Sequence, residues 1–481
     1  MAQELQSQSF RFNLDLELPA NRMRELVDKA LERIVDHISS LDSQPSADVE
    51  GCEALARSLV EPLPERPTEY AALLDTLFKE LVPKSFNTAG PGYLAYIPGG
   101  GLFHSAVADL ISDAVNRYVG VWIAAPCLAQ LEANVIRWFS AIVGYPVEAR
   151  GILTTGGSLA NFTALVTARR NLLPDNFLSG ILYASDQVHH SVVKAAMLAG
   201  FPAGNVREIV TDDAFRISLH HLERSIESDR RRGLCPFLVV GNAGTTNTGA
   251  VDDLDSLAAV AARENLWLHV DAAYGGFFML TGKGREVMRG IERAHSVTLD
   301  PHKGLFLPYG TGSLLVRDGE ALRQAHAVDA SYLPPMQQDS DLVDFCLYSP
   351  ELSRDFRGLR VWLPIKMHGI EPFRRNLEEK LELAAWAADE LRSIPSVEIV
   401  AEPQLSLLAF RVVRSGWDMG TANEFNRRLL QGVNARKRVY LTGTVLRGKF
   451  VIRICVLSFR THFDRMQAAL EDIRATLRDL T

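Results

Sequence analysis

No stretch of the chain runs for the ~18 or more consecutive apolar residues that a membrane-spanning helix needs. Its five cysteines, Cys52, Cys127, Cys235, Cys346 and Cys455, are odd in number and far apart, with no Cys-x-x-Cys pair. Neither a disulfide framework nor a zinc cluster is indicated, and a reducing compartment fits. Positive charge is not in excess: 51 Lys and Arg stand against 58 Asp and Glu, a formal net charge of −7. That balance argues against a surface built to hold nucleic acid or acidic membrane. The opening residues, "MAQELQSQSFRFNLDLELP", lack the basic start and apolar core of a secretory signal. Together these absences predict a cytoplasmic protein with no nucleic-acid and no membrane partner, acting on a small molecule.

What the chain has is length and core. Its 481 residues, 47% of them hydrophobic, exceed one usual domain. From Pro19, the residues Met23, Leu26, Val27, Leu31, Ile34, Val35 and Ile38 recur at helical spacing, and a proline-rich, aperiodic stretch follows. That helix is expected to pack its stripe on another surface, such as a partner subunit. Between about residues 130 and 320 short apolar strands alternate with helices: "GILTT", "GILYAS", "FLVVGNAG", "LWLHVDAA", "SVTLD" and "GSLLVR". Such alternation predicts an α/β fold with a mainly parallel central sheet covered by helices, its ligand at the carboxyl ends of the strands. A long helical stretch follows, interrupted near Pro364 and Gly369. The strand-like "LSLLAFRVV" and "KFVIRICVL", with helices between and after them, then predict a smaller C-terminal α/β domain.

Four polar motifs fall at the predicted strand ends. In "LTTGGSLANFTAL", Gly156, Gly157 and Ser158 turn a strand into a helix, a geometry that cradles phosphate or serves as a simple connection. The motif lacks the Lys-Ser/Thr end of a P-loop and the Gly-x-Gly-x-x-Gly of a dinucleotide fold. In "SDQVHHSVVKAA", His189 and His190 offer one imidazole to stack on a flat ligand or to act as acid or base. In "LHVDAAYGG", Asp271 follows a buried-looking strand and needs a cationic or hydrogen-bonding partner, unless it only caps the next helix. In "SVTLDPHKGLF", Lys303 sits between apolar runs, either as an amphipathic side chain reaching water or as an amine for Schiff-base chemistry. A phosphate cradle, a flat side chain, a carboxylate and an amine match pyridoxal phosphate part by part.

The sequence resembles the group II pyridoxal-phosphate-dependent decarboxylases of fold type I, which include aromatic-L-amino-acid, histidine, glutamate and cysteine sulfinate decarboxylases. The resemblance runs from roughly residue 60 onward through "AAPCLAQLE", "DQVHHS", "GTTNTGAVDDL", "HVDAAYGG", "DPHK", "ASYL" and "FVIR", with the aromatic enzymes nearest. It implies that Lys303 binds the cofactor aldehyde, that Asp271 pairs with the pyridine nitrogen, and that His189 stacks on the ring. It places Gly157 and Ser158 at the phosphate with His302 nearby, and Thr246 beside the cofactor. Arg447 matches a basic residue near the active site. Tyr332 matches the mobile-loop tyrosine that returns a proton to the substrate carbon. Related aldehyde synthases carry phenylalanine there, so the tyrosine favours simple decarboxylation.

Two departures stand out. Asp300 occupies a position where the family usually has asparagine; it is counted among the cofactor-binding residues and expected either to point away or to be neutralised, by His302 for example. Tyr96 and Pro98 match the family's substrate side, but Gly99 and Gly100 are small where aromatic decarboxylases have bulkier walls. The substrate set is thus Tyr96, Pro98, Gly99 and Arg447. The expected function is decarboxylation of an L-amino acid, aromatic by resemblance. Decarboxylation of an acidic amino acid, or aldehyde synthesis, is the alternative. The resemblance also implies a homodimer built from an N-terminal helical segment (1–85) packing on the partner, a large cofactor-binding domain (86–365) and a small C-terminal domain (366–481). No metal is expected.

Overall fold

The computed structural model describes residues 16–328, 333–337, 339 and 341–480. The chain forms two compact units, Met1–Asn87 and Thr88–Thr481. In the first, the expected helix spans Ala20–Ser39. Arg33 Nη2 reaches Asp75 Oδ1 at 2.8 Å, tying it to the helix Tyr70–Asp75. Leu26, Ile34 and Ile38 are partly covered. Met23, Val27, Leu31 and Val35, four residues apart on one face, remain 41–51% exposed, and the helix has no buried residue.

The second unit is organised by a seven-stranded sheet. Its strands are β1 (Arg150–Thr154), β2 (Gly180–Ser185), β3 (Val206–Ile209), β4 (Cys235–Asn242), β5 (Trp267–Asp271), β6 (Ser296–Leu299) and β7 (Gly312–Val316), in the order β1-β7-β6-β5-β4-β2-β3. The pairs β2–β3, β2–β4, β4–β5 and β5–β6 are parallel. β7 alone is reversed, antiparallel to both β1 and β6. β1 therefore points the same way as β6, and the carboxyl ends of β1, β2, β4, β5 and β6 open on one edge. Every residue of β2, β5 and β6 is buried, as a parallel sheet covered on both faces requires. The expectation missed β3, "VREI", because a four-residue edge strand with two charges carries almost no hydrophobic signal.

A second sheet comprises β8 (Val397–Ala401), β9 (Leu407–Val412), β10 (Thr442–Leu446) and β11 (Lys449–Cys455), all antiparallel, in the order β10-β11-β9-β8. β8 and β10 were not expected; β8 is mostly part-buried, and β10 opens on Thr-Gly-Thr and is buried only at its two end residues. The long helical stretch breaks once, between Gly358–His368 and Glu371–Arg392, at Gly369, whose φ of 69° ends the first helix. Pro364 does not interrupt it. Proline lacks the N–H that would bond the carbonyl four residues earlier. That carbonyl, on Arg360, accepts instead from Ser105 Oγ at 2.9 Å.

Candidate active site

Five strand ends deliver the polar motifs to one cavity of about 300 Å³, lined among others by Gly157, Ser158, His189, Asp271, His302 and Lys303. β1 runs out at Thr154 and the helix Gly157–Leu172 starts within three residues, with no side chain capping its N-terminus. The first N–H groups of a helix lack internal partners and carry its positive end, so this one faces the cavity as an anion seat. The position is tight: a Cβ on Gly157 would lie 3.1 Å from Asp300 Oδ2 and 3.3 Å from the Ala273 Cβ. Gly312, on β7, is also a packing requirement, since a Cβ there would come within 2.5 Å of the Gly156 carbonyl carbon.

Asp271 ends β5 with 8% of its surface exposed. Its Oδ2 accepts from Asn161 Nδ2 at 2.9 Å and its Oδ1 from the Ala273 N–H at 3.1 Å. The partner that a buried carboxylate needs is therefore an amide one helical turn beyond Gly157. Asn161 is itself held: its Oδ1 accepts from Thr298 Oγ1 at 2.7 Å and lies 3.1 Å from His269 Nε2. Its second N–H donates to Ser191 Oγ at 3.0 Å. Ser191 in turn meets His189, with Oγ 2.7 Å from Nδ1 and the Ser191 N–H donating to Nδ1 at 3.3 Å. Nδ1 is thus an acceptor, which assigns the ring proton to Nε2. Burial holds His189 below the ordinary histidine pKa, against the pull of Asp271, so the ring is neutral at neutral pH. His190 turns to the exposed side, its ring tilted 43° to that of His189.

Lys303 does not reach for water. Its Nζ lies 2.8 Å from Asp300 Oδ2, and 21% of the side chain is exposed. Burial acts to deprotonate the amine, but Asp300, with Asp271 behind it, outweighs burial and raises the pKa above the ordinary lysine value. The expected neutralisation of Asp300 by His302 is corrected accordingly. His302 Nε2 stands 3.7 Å from Asp300 Oδ2, its Nδ1 donates to the Thr311 carbonyl at 2.6 Å, and burial lowers its pKa. It is a neutral neighbour, and the cation facing Asp300 is Lys303.

The other expected residues divide. Thr246 lines the cavity. Tyr96, Pro98 and Gly99 stand outside its lining, Tyr96 half exposed with a φ of 50°. Gly99 seats a side chain the sequence reading did not single out: its N–H donates to Tyr309 Oη at 3.3 Å, and a Cβ there would strike the Tyr309 ring at 2.8 Å. Arg447 is not at the cavity. It forms, with Gly448, the two-residue turn between β10 and β11, both at positive φ (49° and 81°), as a tight hairpin demands. From that exposed tip its guanidinium bonds the Thr211 carbonyl at 3.1 Å and Asp213 Oδ1 at 3.3 Å. The buried arginine nearer the cavity is Arg453, on β11, which donates to the carbonyls of Thr246 and, at 3.0 Å, Asn247. Tyr332 lies outside the described residues. The sequence reading missed Asn161, Ser191, Asn242 and Thr245, all lining the cavity. Asn161 was visible in principle, as an amide four residues past Gly157 on an otherwise alanine-rich face.

Comparison with known proteins agrees with this geometry. The model described as the pyridoxal-dependent decarboxylase conserved domain matches residues 53–413, and the chain belongs to that family. It is a pyridoxal-phosphate-dependent amino acid decarboxylase. The aromatic-L-amino-acid decarboxylase of Bacillus atrophaeus is 35% identical over 469 residues, 97% of this chain and 98% of that one. Tryptophan decarboxylase TDC2 of Camptotheca acuminata is 30% identical over 471 residues, 95% of each. A crystal structure of Oryza sativa TDC with PLP and tryptamine superposes with a TM-score of 0.91 at 27% identity, covering 96% of this chain and 99% of that one.

The donor set fits the cofactor. An uncapped helix start suits a phosphate, a neutral imidazole suits a ring face, a carboxylate at the cavity wall suits a pyridine nitrogen, and an amine suits an aldehyde. Among the described residues no cluster of His, Cys, Asp and Glu could hold a metal ion, and no helix is long and apolar enough to cross a membrane.

Proposed function

We propose that the protein decarboxylates an aromatic L-amino acid to its amine and carbon dioxide, working as a cytoplasmic homodimer. The observation that carries the reading is the meeting of Lys303, Asp271, His189 and the Gly157–Ser158 helix start in one cavity. The aromatic substrate class rests on the relatives named for it, those of Bacillus atrophaeus and Camptotheca acuminata. The dimer rests on the exposed stripe Met23, Val27, Leu31 and Val35, part of a 1–85 segment that we assign to packing on the partner. Residues 86–365 would hold the cofactor and 366–481 form the smaller domain.

When bound, the cofactor supplies a protonated ring that accepts the electron pair released as carbon dioxide leaves. The chain's part is to hold and orient it. Gly157 and Ser158 would hold the phosphate at the helix start, and Lys303 Nζ the aldehyde carbon. Asp271 would keep a proton on the pyridine nitrogen, since an opposite charge in a low-dielectric site raises such a pKa by about 1–3 units. Asn161 fixes the direction of that carboxylate. His189 would cover one ring face as a neutral imidazole, adding no charge to compete for Asp271. Thr246, His302 and Asp300 complete the surround. Tyr96, Pro98 and Gly99, with Tyr309 seated on Gly99, would stand on the substrate side. Tyr332 would return a proton to the substrate carbon, a role assigned from sequence, and its loop would exclude water.

The test is a panel of aromatic and acidic L-amino acids with carbon dioxide, amine, ammonia and peroxide measured together. Amine and carbon dioxide in equal amounts from an aromatic substrate support the reading. Ammonia and peroxide would make the protein an aldehyde synthase, and turnover restricted to acidic substrates would overturn the substrate class.

A further inference from the structure

We propose that Asp300 is a charge lock on Lys303: in the cofactor-free protein it holds the nucleophilic nitrogen as an ammonium at the cavity wall, so the amine stays unreactive until a ligand enters the cavity and the pair separates. The inference rests on the assignment of Lys303 as the cofactor-binding amine, and it concerns the state of that amine before the cofactor arrives.

Three features of the chain carry it. Asp300 is the extended residue ahead of the single turn Pro301–Gly304, so Lys303 returns over it one turn later, and the two heads meet at 2.8 Å. The carboxylate is 2% exposed, and its other oxygen, Oδ1, is buried without a hydrogen-bond partner. A carboxylate with so little other solvation depends on its one cation, and removing either partner of a buried pair leaves the other charge uncompensated. Its remaining neighbours do not substitute for Lys303. His302 is neutral, with its ring proton committed to the Thr311 carbonyl, and Gly157 offers only a backbone approach to Asp300.

The groups facing Lys303 from other elements do not do Asp300's work. Asp271, on β5, is engaged by Asn161 and the Ala273 N–H and acts on the amine only through space. His189, at the start of its helix, is neutral, and Tyr309 and Cys455 carry no charge at neutral pH, burial raising both. The raised pKa of Lys303 has the sign the ion pair requires.

The consequence is chemical. An ammonium has no lone pair, so condensation with an aldehyde, which forms a C=N bond and expels water, begins only after the Lys303 proton has left Nζ. An aspartate three residues before the nucleophile therefore slows indiscriminate reaction of Lys303 with small electrophiles.

The experiment is competitive labelling of the amines of the full-length apo-protein with trace acetic anhydride, read by mass spectrometry of the Lys303 peptide. At a pH of about 8 the labelling rate follows the free-amine fraction, so Asp300→Asn is expected to label Lys303 roughly ten- to a thousandfold faster, for a pKa drop of about 1–3 units. Asp300→Glu, which keeps the charge, is expected to label as slowly as the parent. Lys380, fully buried and bonded to Glu379 and the Thr461 carbonyl, stays unlabelled while the protein is folded and serves as the internal control. Equal Lys303 rates in the parent and in a folded Asp300→Asn variant overturn the lock. If that variant labels Lys380, the parent's pH series decides. A Lys303 rate still rising above the ordinary lysine pKa supports the lock, and one that has levelled off below it overturns the proposal. Borohydride reduction of the parent with cofactor separates the two readings. Attachment at Lys303 with a null labelling result removes only the lock, whereas no attachment at Lys303 removes the cofactor assignment.

Discussion

Asn161 and Asp271 are joined at 2.9 Å by an amide-to-carboxylate hydrogen bond, and the second N–H of the same amide, 3.0 Å from Ser191 Oγ, connects that carboxylate to the hydroxyl beside His189. Two groups on different elements, one that we assign to the edge of a flat ligand and one to its face, are thus oriented by a single side chain. A hydrogen bond to a buried charged group contributes about 1.5–3 kcal/mol, and leaving the carboxylate short of a donor costs about as much. Asn161→Ala is therefore expected to weaken cofactor binding roughly ten- to a hundredfold, measured by titrating apo-protein and following the cofactor's absorbance. Asn161→Asp should be worse, because it places a second carboxylate against Asp271.

His269 holds the far side of that amide and carries a pH dependence. Burial lowers its pKa from the ordinary histidine value to about 4. The unfolded chain binds a proton there more readily than the native one. Its contribution to stability is therefore full above the ordinary histidine value and is lost as pH falls from there toward about 4, an effect on the order of 3 kcal/mol. His269→Gln removes this component. The denaturation midpoint of the variant should fall less than the parent's between neutral pH and about pH 4.5, as urea titrations at the two pH values would report. An unchanged acid slope would count against the assignment.

The exposed stripe on Ala20–Ser39 gives a prediction for assembly. Val27 and Leu31 are 43% and 41% exposed in the single chain, and covering what remains of each contributes on the order of 1 kcal/mol, a fraction of the value for burying a whole aliphatic side chain. Val27→Asp with Leu31→Asp should shift the protein from dimer to monomer at micromolar concentration, visible by sedimentation, with the second unit still folded. A dimer unaffected by the pair of charges would place the interface elsewhere.

Tyr332 is assigned from sequence, and its prediction concerns products. Tyr332→Phe should lower amine formation by at least tenfold and yield aldehyde, ammonia and peroxide in its place, read by the same product panel. Undiminished amine from the variant would remove the assigned proton transfer from Tyr332.

Much of this was legible in the sequence because the strands of a covered parallel sheet are uninterrupted apolar runs. "GILYAS", "LWLHVD" and "SVTL" could be read as strands, and their polar ends as one site. What escaped had physical causes. β3, β8 and β10 lie at sheet edges with little buried surface. Arg447 was carried to the site by its neighbourhood in the sequence, "LRGKFVIR", whereas Arg-Gly at that point is a hairpin turn that places the guanidinium at the surface; Arg453, six residues on along the inward strand, lies closer. Asn161 lies in the same motif as Gly156 and Gly157, but its contact with Asp271 depends on which face of the following helix turns to the sheet, which the glycine turn does not mark. The Asp300–Lys303 pair depends on how one short turn folds back, which no spacing rule distinguishes from a lysine reaching outward.

We assign Lys303 as the amine that binds the cofactor. Reducing the cofactor-loaded protein with borohydride, digesting it and locating the pyridoxyl group by mass spectrometry decides that assignment. The label is expected on the peptide that contains Lys303 and is expected to be lost in Lys303→Ala. A label on another lysine, or one that persists in Lys303→Ala, would contradict it.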